Sequence, residues 1–216
     1  MRNFLKKYNH AVFILYFFIY LPCFLLLEKY VTDYTIIHCP IDSMIPFVEF
    51  FIIPYDLWFL YIAASYLFFF FASKKEFVRM ASFLTIGMTL FLIISAVFPN
   101  GLPADFRPDL DALGRDNIFI YIVRILYGSD TSTNVFPSIH VFNSLGVHIA
   151  IHKTDKLPKW IKAASLILCI LICMSTVFLK QHSIIDVIGG MVLALILYFP
   201  FYARKNKENE SKICLE

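Results

Sequence analysis

Six stretches of the chain, roughly 11–29, 52–73, 80–98, 136–152, 160–179 and 183–203, approach or reach the ~20 apolar residues that a helix needs to cross a bilayer. No other feature narrows the fold as far. A helix satisfies its backbone N–H and C=O groups internally, so apolar runs of this length in lipid have almost no other conformation open to them. The balance of side chains agrees. Of 216 residues 59% are apolar and 16% charged, where soluble domains carry roughly a quarter charged. The expectation is an all-α polytopic membrane protein, six transmembrane helices in one bundle with an external loop carrying a short helix. Residues 1–216 then form one membrane domain, its core about 50–200, with tails at 1–10 and 204–216.

Charge orients the bundle. Placing the N-terminus inside puts Arg2, Lys6, Lys7, Lys74, Lys75, Arg79, Lys153, Lys156, Lys159, Lys162, Arg204, Lys205, Lys207 and Lys212 in the cytoplasm, fourteen of nineteen basic residues. Lys29, Arg107, Arg115, Arg124 and Lys180 stay outside. Short cytoplasmic loops carry the Lys/Arg excess, so both termini are expected inside, and the membrane expected is the plasma membrane. The first run follows Arg2, Lys6 and Lys7 as a signal peptide would. No small-residue cleavage site follows it, and Pro22 before Cys23 spoils a lipoprotein-type site, so it reads as a retained anchor. The formal net charge of +3 belongs to those loops and is no nucleic-acid footprint. Five cysteines define no disulfide framework, and Cys23, Cys169 and Cys173 fall within spans as small packing residues. Trp58 and Trp160 fall at span ends, where interfacial anchors belong.

The external side has two substantial segments. In the first, about 30–51, Pro46 and Pro54 bracket the apolar IPFVEFFIIPY stretch, which reads as interfacial or re-entrant. In the second, 99–135, residues Asn117 to Tyr127 are patterned as a short amphipathic helix lying on the membrane surface. The fourth span opens through FPSIH. Pro137 suits a helix start, Ser138 is a natural cap, and His140 falls in the first turn. A capped helix start with a first-turn histidine hydrogen-bonded to a loop fits that stretch equally well.

The sixth span opens through KQHSIIDVIGG, Lys180 to Gly190. His182 and Asp186 stand four apart, so on a helix they share a face. A carboxylate inside a span costs about 2.5–3.5 kcal/mol even on lenient insertion scales, so Asp186 needs a partner, and His182 is the obvious one. Held by a carboxylate on one ring nitrogen, an imidazole keeps the other free for attack. Three other readings stay open for the pair: a staple at a helix end, a proton relay in a transporter, or part of a metal site with His140 and Asp105. The last lacks the clustered ligand spacing of zinc helices. Alternation of sides brings His140 and His182 to the same outer surface, with Arg107 in the loop that feeds it. Two histidines, a carboxylate, a helix N-terminus, an arginine and Lys180 thus converge where an anionic lipid headgroup would sit. That set suits phosphoryl transfer without a metal or other cofactor.

Arg107-Pro108, then Pro137-Ser138-Ile139-His140, then Ser175, His182 and Asp186 follow in order a pattern of the form K-x6-R-P, P-S-G-H, S-R-x5-H-x3-D. The chain therefore resembles the type 2 phosphatidic acid phosphatase superfamily, over roughly residues 50–200. The resemblance implies a six-helix core and a membrane lipid phosphate, a monoester or pyrophosphate, as substrate. It implies His182 as nucleophile, Asp186 as its orienter, His140 as acid for the leaving group, and Arg107 and Ser138 as phosphate holders. The chain departs from the pattern at Asn100, Ile139 and Thr176, where lysine, glycine and arginine are expected. Lys180, two residues before His182, is a candidate replacement for the lost charge, and a snorkelling anchor is the alternative. With the stretch at 45–55, these departures resemble the branch of inositol phosphorylceramide synthase-like transferases, in which an alcohol replaces water as acceptor.

Overall fold

A computed structural model of the chain describes residues 9–30 and 33–203. The expected tails, with Arg2, Lys6, Lys7, Arg204, Lys205, Lys207 and Lys212, lie outside the described residues. The helices are α1 (Val12–Tyr30), α2 (Pro40–Met44), α3 (Ile52–Ala72), α4 (Lys74–Val97), α5 (Ile118–Ser129), α6 (Ile139–Lys153), α7 (Lys159–Phe178) and α8 (Ile184–Tyr198). Two strands of two residues each, β1 (Thr35–Ile36) and β2 (Asn100–Gly101), pair in parallel.

Among the described residues five helices are long and apolar enough to cross a membrane: α1, α3, α4, α7 and α8, the last with the turn Phe199–Ala203 that continues it. Their outward faces carry exposed Phe59, Leu67, Phe71, Ile167, Ile170, Val192, Leu195 and Ile196. In water such faces would be docking or aggregation surfaces, whereas in a bilayer they are the solvated side. The chain is an integral membrane protein.

The remaining expected span is α6, and it differs from the others. At 15 residues it extends about 22 Å, short of the ~30 Å hydrocarbon core. It need not match lipid, because it lies at the centre, packed on α3, α4, α7 and α8. Val141, Phe142, Asn143, Ser144, Gly146 and Val147 are all buried. Helices in lipid gain little from the hydrophobic effect against one another, so contact depends on close van der Waals packing around small residues. A Cβ at Gly87 of α4 would collide with the Phe142 ring. Glycine there lets α4 approach, and the Phe83 and Phe142 rings stack 5.1 Å apart. An aromatic pair of this kind contributes about 0.5–1.5 kcal/mol beyond its buried area.

Two expected boundaries shift. The third span was expected from about 80, but α4 begins at Lys74, and Ser73 alone joins it to α3. The Ser73 side chain accepts the Glu76 N–H at 3.4 Å, an N-cap with an acid in the first turn. Lys74, Lys75 and Arg79 therefore sit on the first turns of a helix rather than in a loop. Likewise Pro54 does not close an irregular segment. It stands in the first turn of α3, where no N–H is required, and only residues up to the short 3-10 turn Glu49–Phe51 are non-helical.

The long connections, 33–51, 98–138 and 179–183, gather at one end of the bundle. The expected surface helix is there as α5, started by Asn117, whose side chain accepts the N–H groups of Phe119 and Ile120, each at 3.0 Å. Its inner face, Ile120 and Val123, packs with Ile52, Tyr55, Leu110 and Leu179. Its outer face shows Ile118, Tyr121 and Ile125. Arg115 and Asn117 both donate to the buried Glu49 carboxylate, which ties this loop to the start of α3.

Candidate active site

The turn from α7 to α8 sets the geometry. Gln181 N–H bonds to Thr176 C=O at 2.9 Å and Lys180 N–H to Val177 C=O at 3.1 Å, the paired bonds of a Schellman C-cap. Lys180 occupies its left-handed position, φ +52°, where glycine is usual. That conformation sends the Lys180 side chain away from the histidines. Its Nζ donates to the carbonyls of Asp42 at 2.7 Å and Ile45 at 2.6 Å. Burial lowers the Lys180 ammonium below the ordinary lysine range, against the opposing pull of Asp42.

His182 follows, one residue outside α8. Ser183 is the N-cap, and Asp186 at the third helical position returns a bond to it, Ser183 N–H to Oδ2 at 2.8 Å. The same Oδ2 lies 3.5 Å from His182 Nδ1. Asp186 is thus in the first turn of α8 rather than deep in the span, and it is wholly buried. A second carboxylate covers this helix start. Asp42, on α2, accepts Ser183 Oγ at 2.7 Å and Ile184 N–H at 2.9 Å, as well as Cys39 N–H at 2.9 Å. Burial alone would raise the Asp42 carboxyl, but these hydrogen bonds outweigh it and hold it below the usual aspartate range.

The start of α6 is pressed against the start of α8. Ser138 caps α6, its Oγ 3.5 Å from Val141 N, and its own N–H bonds to Asp186 C=O at 2.9 Å. A Cβ on Gly190 would fall 2.6 Å from Ser138 C=O, so only glycine leaves room for this approach. Asn100 braces the strand that leads in, its Oδ1 accepting the N–H groups of Val135 at 3.0 Å and Phe136 at 2.8 Å. The position where the family pattern carries lysine is therefore a fully buried structural amide.

His140 packs against the rings of Tyr55 and Trp58, with centroids 4.7 Å and 4.4 Å away, and its centroid is 5.8 Å from that of His182. Trp58 is thus a neighbour of the site rather than a plain interfacial anchor, whereas Trp160 is exposed at the far end. His140 and His182 line a cavity of about 50 Å³ with Asp130, Thr131, Asn134 and Gln181. Arg107 flanks it. Its guanidinium donates to Asp130 C=O at 2.7 Å, Thr131 C=O at 3.2 Å and Gln181 Oε1 at 2.6 Å, and lies 4.7 Å above the Tyr127 ring. The Asp130 carboxylate is 3.8 Å from the same guanidinium. Burial raises the Asp130 carboxyl above its usual range, against the pull of Arg107 and His182. Several buried polar atoms here have no hydrogen-bond partner: Arg107 Nε, Asn134 Oδ1, His140 Nδ1, Gln181 Nε2, His182 Nδ1 and Asp186 Oδ1. Orphaned buried groups are rare, so these atoms call for a partner from outside the protein, ordered water or a ligand.

Of the expected site residues, the structure brings His140, His182 and Asp186 together. Ser138 joins them through its backbone and Arg107 reaches them through Gln181. Lys180 is not brought there. Sequence reasoning missed Gln181, Asp130, Asn134, Tyr55, Trp58 and Asp42. One signal was available: Ser183-Ile184-Ile185-Asp186 has the spacing of a capping box and marks the helix start one residue after His182. Asp42 and Asn134 carry no local mark. Comparison with curated proteins found no match, and comparison with solved structures found none either. Residues 104–210, which include Arg107, Ser138, His140, His182 and Asp186, match the family model described as PAP2 superfamily. With its histidines and aspartate set at two helix starts of a membrane bundle, this region of the chain belongs to the PAP2 superfamily.

Proposed function

We propose that the chain cleaves a phosphate ester or pyrophosphate bond of a membrane lipid through a phosphohistidine on His182. The observation that carries this reading is the triad geometry: Asp186 Oδ2 at 3.5 Å from His182 Nδ1, with the His140 ring across a small cavity. Asp186 Oδ2 faces Nδ1 at 3.5 Å, so a modest closing of that gap in the substrate complex would orient the ring and leave Nε2 to attack phosphorus. As the N–P bond forms, the bond from phosphorus to the leaving oxygen breaks, and that oxygen takes its proton from protonated His140. In the second stage the acceptor oxygen attacks phosphorus, its proton passes to His140, and the N–P bond breaks. Tyr55 and Trp58 pack against the His140 ring and hold it across the cavity from His182. Arg107 and the free N–H of Gln181 supply positive charge toward the phosphoryl oxygens.

The acceptor is water in this reading. An alcohol acceptor would make the protein a lipid headgroup transferase with the same intermediate. The charge asymmetry of the loops supports a site at the external face with both termini in the cytoplasm, and six crossings require α6 to count as one.

The test uses the purified full-length chain in detergent with a panel of lipid phosphates, scoring released headgroup and new lipid species. His182→Ala and His140→Ala should each lower turnover at least ~10²-fold while the protein still folds. Wild type, and not His182→Ala, should yield an acid-labile, base-stable phosphoenzyme. Near-normal turnover in either variant would refute the assignment.

A further inference from the structure

The cavity beside His182 is poor in positive charge. Five basic side chains belong to this end of the bundle among the described residues, and four are committed elsewhere. Arg115 pairs with Glu49 and Arg124 with Asp111. Lys180 is bound to two carbonyls, and Lys29 lies over the Tyr30 ring, 5.6 Å from its centroid. Arg107 alone flanks the cavity, and it already faces the Asp130 carboxylate at 3.8 Å.

Negative charge is more plentiful. Asp130 lines the cavity and Asp186 stands directly behind His182. Glu28 reaches the rim from α1, its Oε1 accepting Thr131 Oγ1 at 2.7 Å. Asp130 thus lines the space, Glu28 stands at its rim and Asp186 behind His182, against the Arg107 guanidinium and the one proton that His140 brings for the leaving oxygen. The space nonetheless offers unmet hydrogen-bonding capacity. Gln181, 2% exposed, lines it with Nε2 unpartnered, and Asn134, 4% exposed, lines it with Oδ1 unpartnered. A tetrahedral group with one charged oxygen and one protonated or esterified oxygen suits that pair of a free donor and a free acceptor. The His140 proton passes to the leaving oxygen, so each additional full charge on the phosphate meets Asp130 and Glu28 with the Arg107 guanidinium alone to offset it.

We propose that this site selects singly charged phosphodiesters over dianionic phosphomonoesters and pyrophosphates, with Asp130 as the specificity-determining residue. The proposal rests on the phosphohistidine reading and narrows its substrate class. In the diester case His182 displaces one alkoxide, which leaves with the proton from His140. The phosphoryl group stays on nitrogen with its second ester bond intact until the acceptor takes it.

The experiment compares a matched pair of lipids in mixed micelles at pH 8, phosphatidate and its methyl diester, which differ by about one charge. Wild type should cleave the diester at least about tenfold faster, as expected for one uncompensated charge near a carboxylate at moderate effective dielectric. Asp130→Asn should lower the diester-to-monoester rate ratio about tenfold, and Glu28→Gln should lower it by less. A purely structural role for Asp130 would reduce both rates together and leave the ratio unchanged. Should Asp130→Asn fail to fold, Glu28→Gln tests the same carboxylate field. A wild type that prefers the monoester, or a ratio that neither variant moves, overturns the proposal and leaves the phosphohistidine reading standing. Wild type that cleaves neither lipid and traps no phosphoenzyme removes that reading, and this inference with it.

Discussion

Removing the Asp42 carboxylate should loosen the helix start that carries the histidine pair. In the folded protein Asp42 accepts three hydrogen bonds, from Ser183 Oγ, Ile184 N–H and Cys39 N–H, and its residue is 2% exposed. Asp42→Ala orphans all three donors. A lost N-cap costs about 0.5–2 kcal/mol, and a lost carboxylate at a helix N-terminus about 0.3–1 kcal/mol. Some of the freed donors will find water near the bundle end, so the contributions do not add fully, and about 2–3 kcal/mol is expected. For a chain of this size that is roughly 5–10 °C in apparent melting temperature. Turnover should fall further than folding alone explains, because Ser183 N–H also positions the Asp186 oxygen that faces His182. Asp42→Asn keeps one acceptor and should fall between. The pH dependence has a defined sign. Hydrogen bonding holds the folded Asp42 carboxyl below its usual range. Its contribution is therefore fully present above the ordinary value of about 3.9 and is lost as pH falls through the lower folded value. The melting difference between wild type and Asp42→Ala should thus be flat from neutrality down to about pH 5 and should close under strongly acid conditions. Melting in detergent by intrinsic fluorescence, with turnover measured on the same preparations, reads both effects. Equal melting temperature and turnover in Asp42→Ala and wild type would refute the reasoning.

Lys180→Ala should destabilise the protein by about 1–3 kcal/mol, since two charge-assisted hydrogen bonds to carbonyls are lost, with turnover per folded molecule reduced less than about threefold. A ~10²-fold loss in that measure, at unchanged melting temperature, would instead return Lys180 to the phosphate. Gly190→Ala places a methyl against Ser138 C=O and should cost about 1–3 kcal/mol together with activity, because it separates the two helix starts; unchanged activity and melting would show that this contact is slack. In a background without the native cysteines, Gly128→Cys, where an added side chain meets open space, should react with an impermeant thiol reagent on intact cells, and Asp155→Cys should not. The reverse labelling would place the candidate site in the cytoplasm.

Lipid makes part of this fold legible from residues alone. It offers a long apolar run only one regular conformation, so α1, α3, α4, α7 and α8 could be read from hydropathy to within a few residues at most ends. Where helices are covered by protein instead, hydropathy loses its ruler. The fourth run was read as an ordinary span, yet α6 is a short central helix whose length is set by the cap at Ser138 and by Thr154, where it ends. The boundary at Ser73 was missed for a related reason. Lysines on a first helical turn leave the apolar average just as a loop would, and only the serine-to-glutamate spacing distinguishes the two.

The same division runs through the candidate site. His140, His182 and Asp186 were legible because each is tied to a local signal, a helix start or an i, i+4 spacing, and because side alternation brings two such starts to one surface. Asp42 was not, since its contact with Ser183 closes a separation of 141 residues and leaves no periodic trace near either partner. Asn100 read as a lost lysine, but a buried amide that holds two N–H groups of the incoming strand answers a backbone requirement that no motif spacing encodes. Lys180 shows the limit most directly. Its distance along the chain from His182 invites a role at phosphorus, and that distance is the same whichever way the side chain points. The direction depends on the sign of one dihedral, φ +52° at the end of α7, which turns the stem toward Asp42 and Ile45 while the next two residues turn toward the cavity. Charge that spacing would assign to the phosphate is thereby moved to the packing of α2, and the cavity is left with Arg107 at its flank, 3.8 Å from the Asp130 carboxylate.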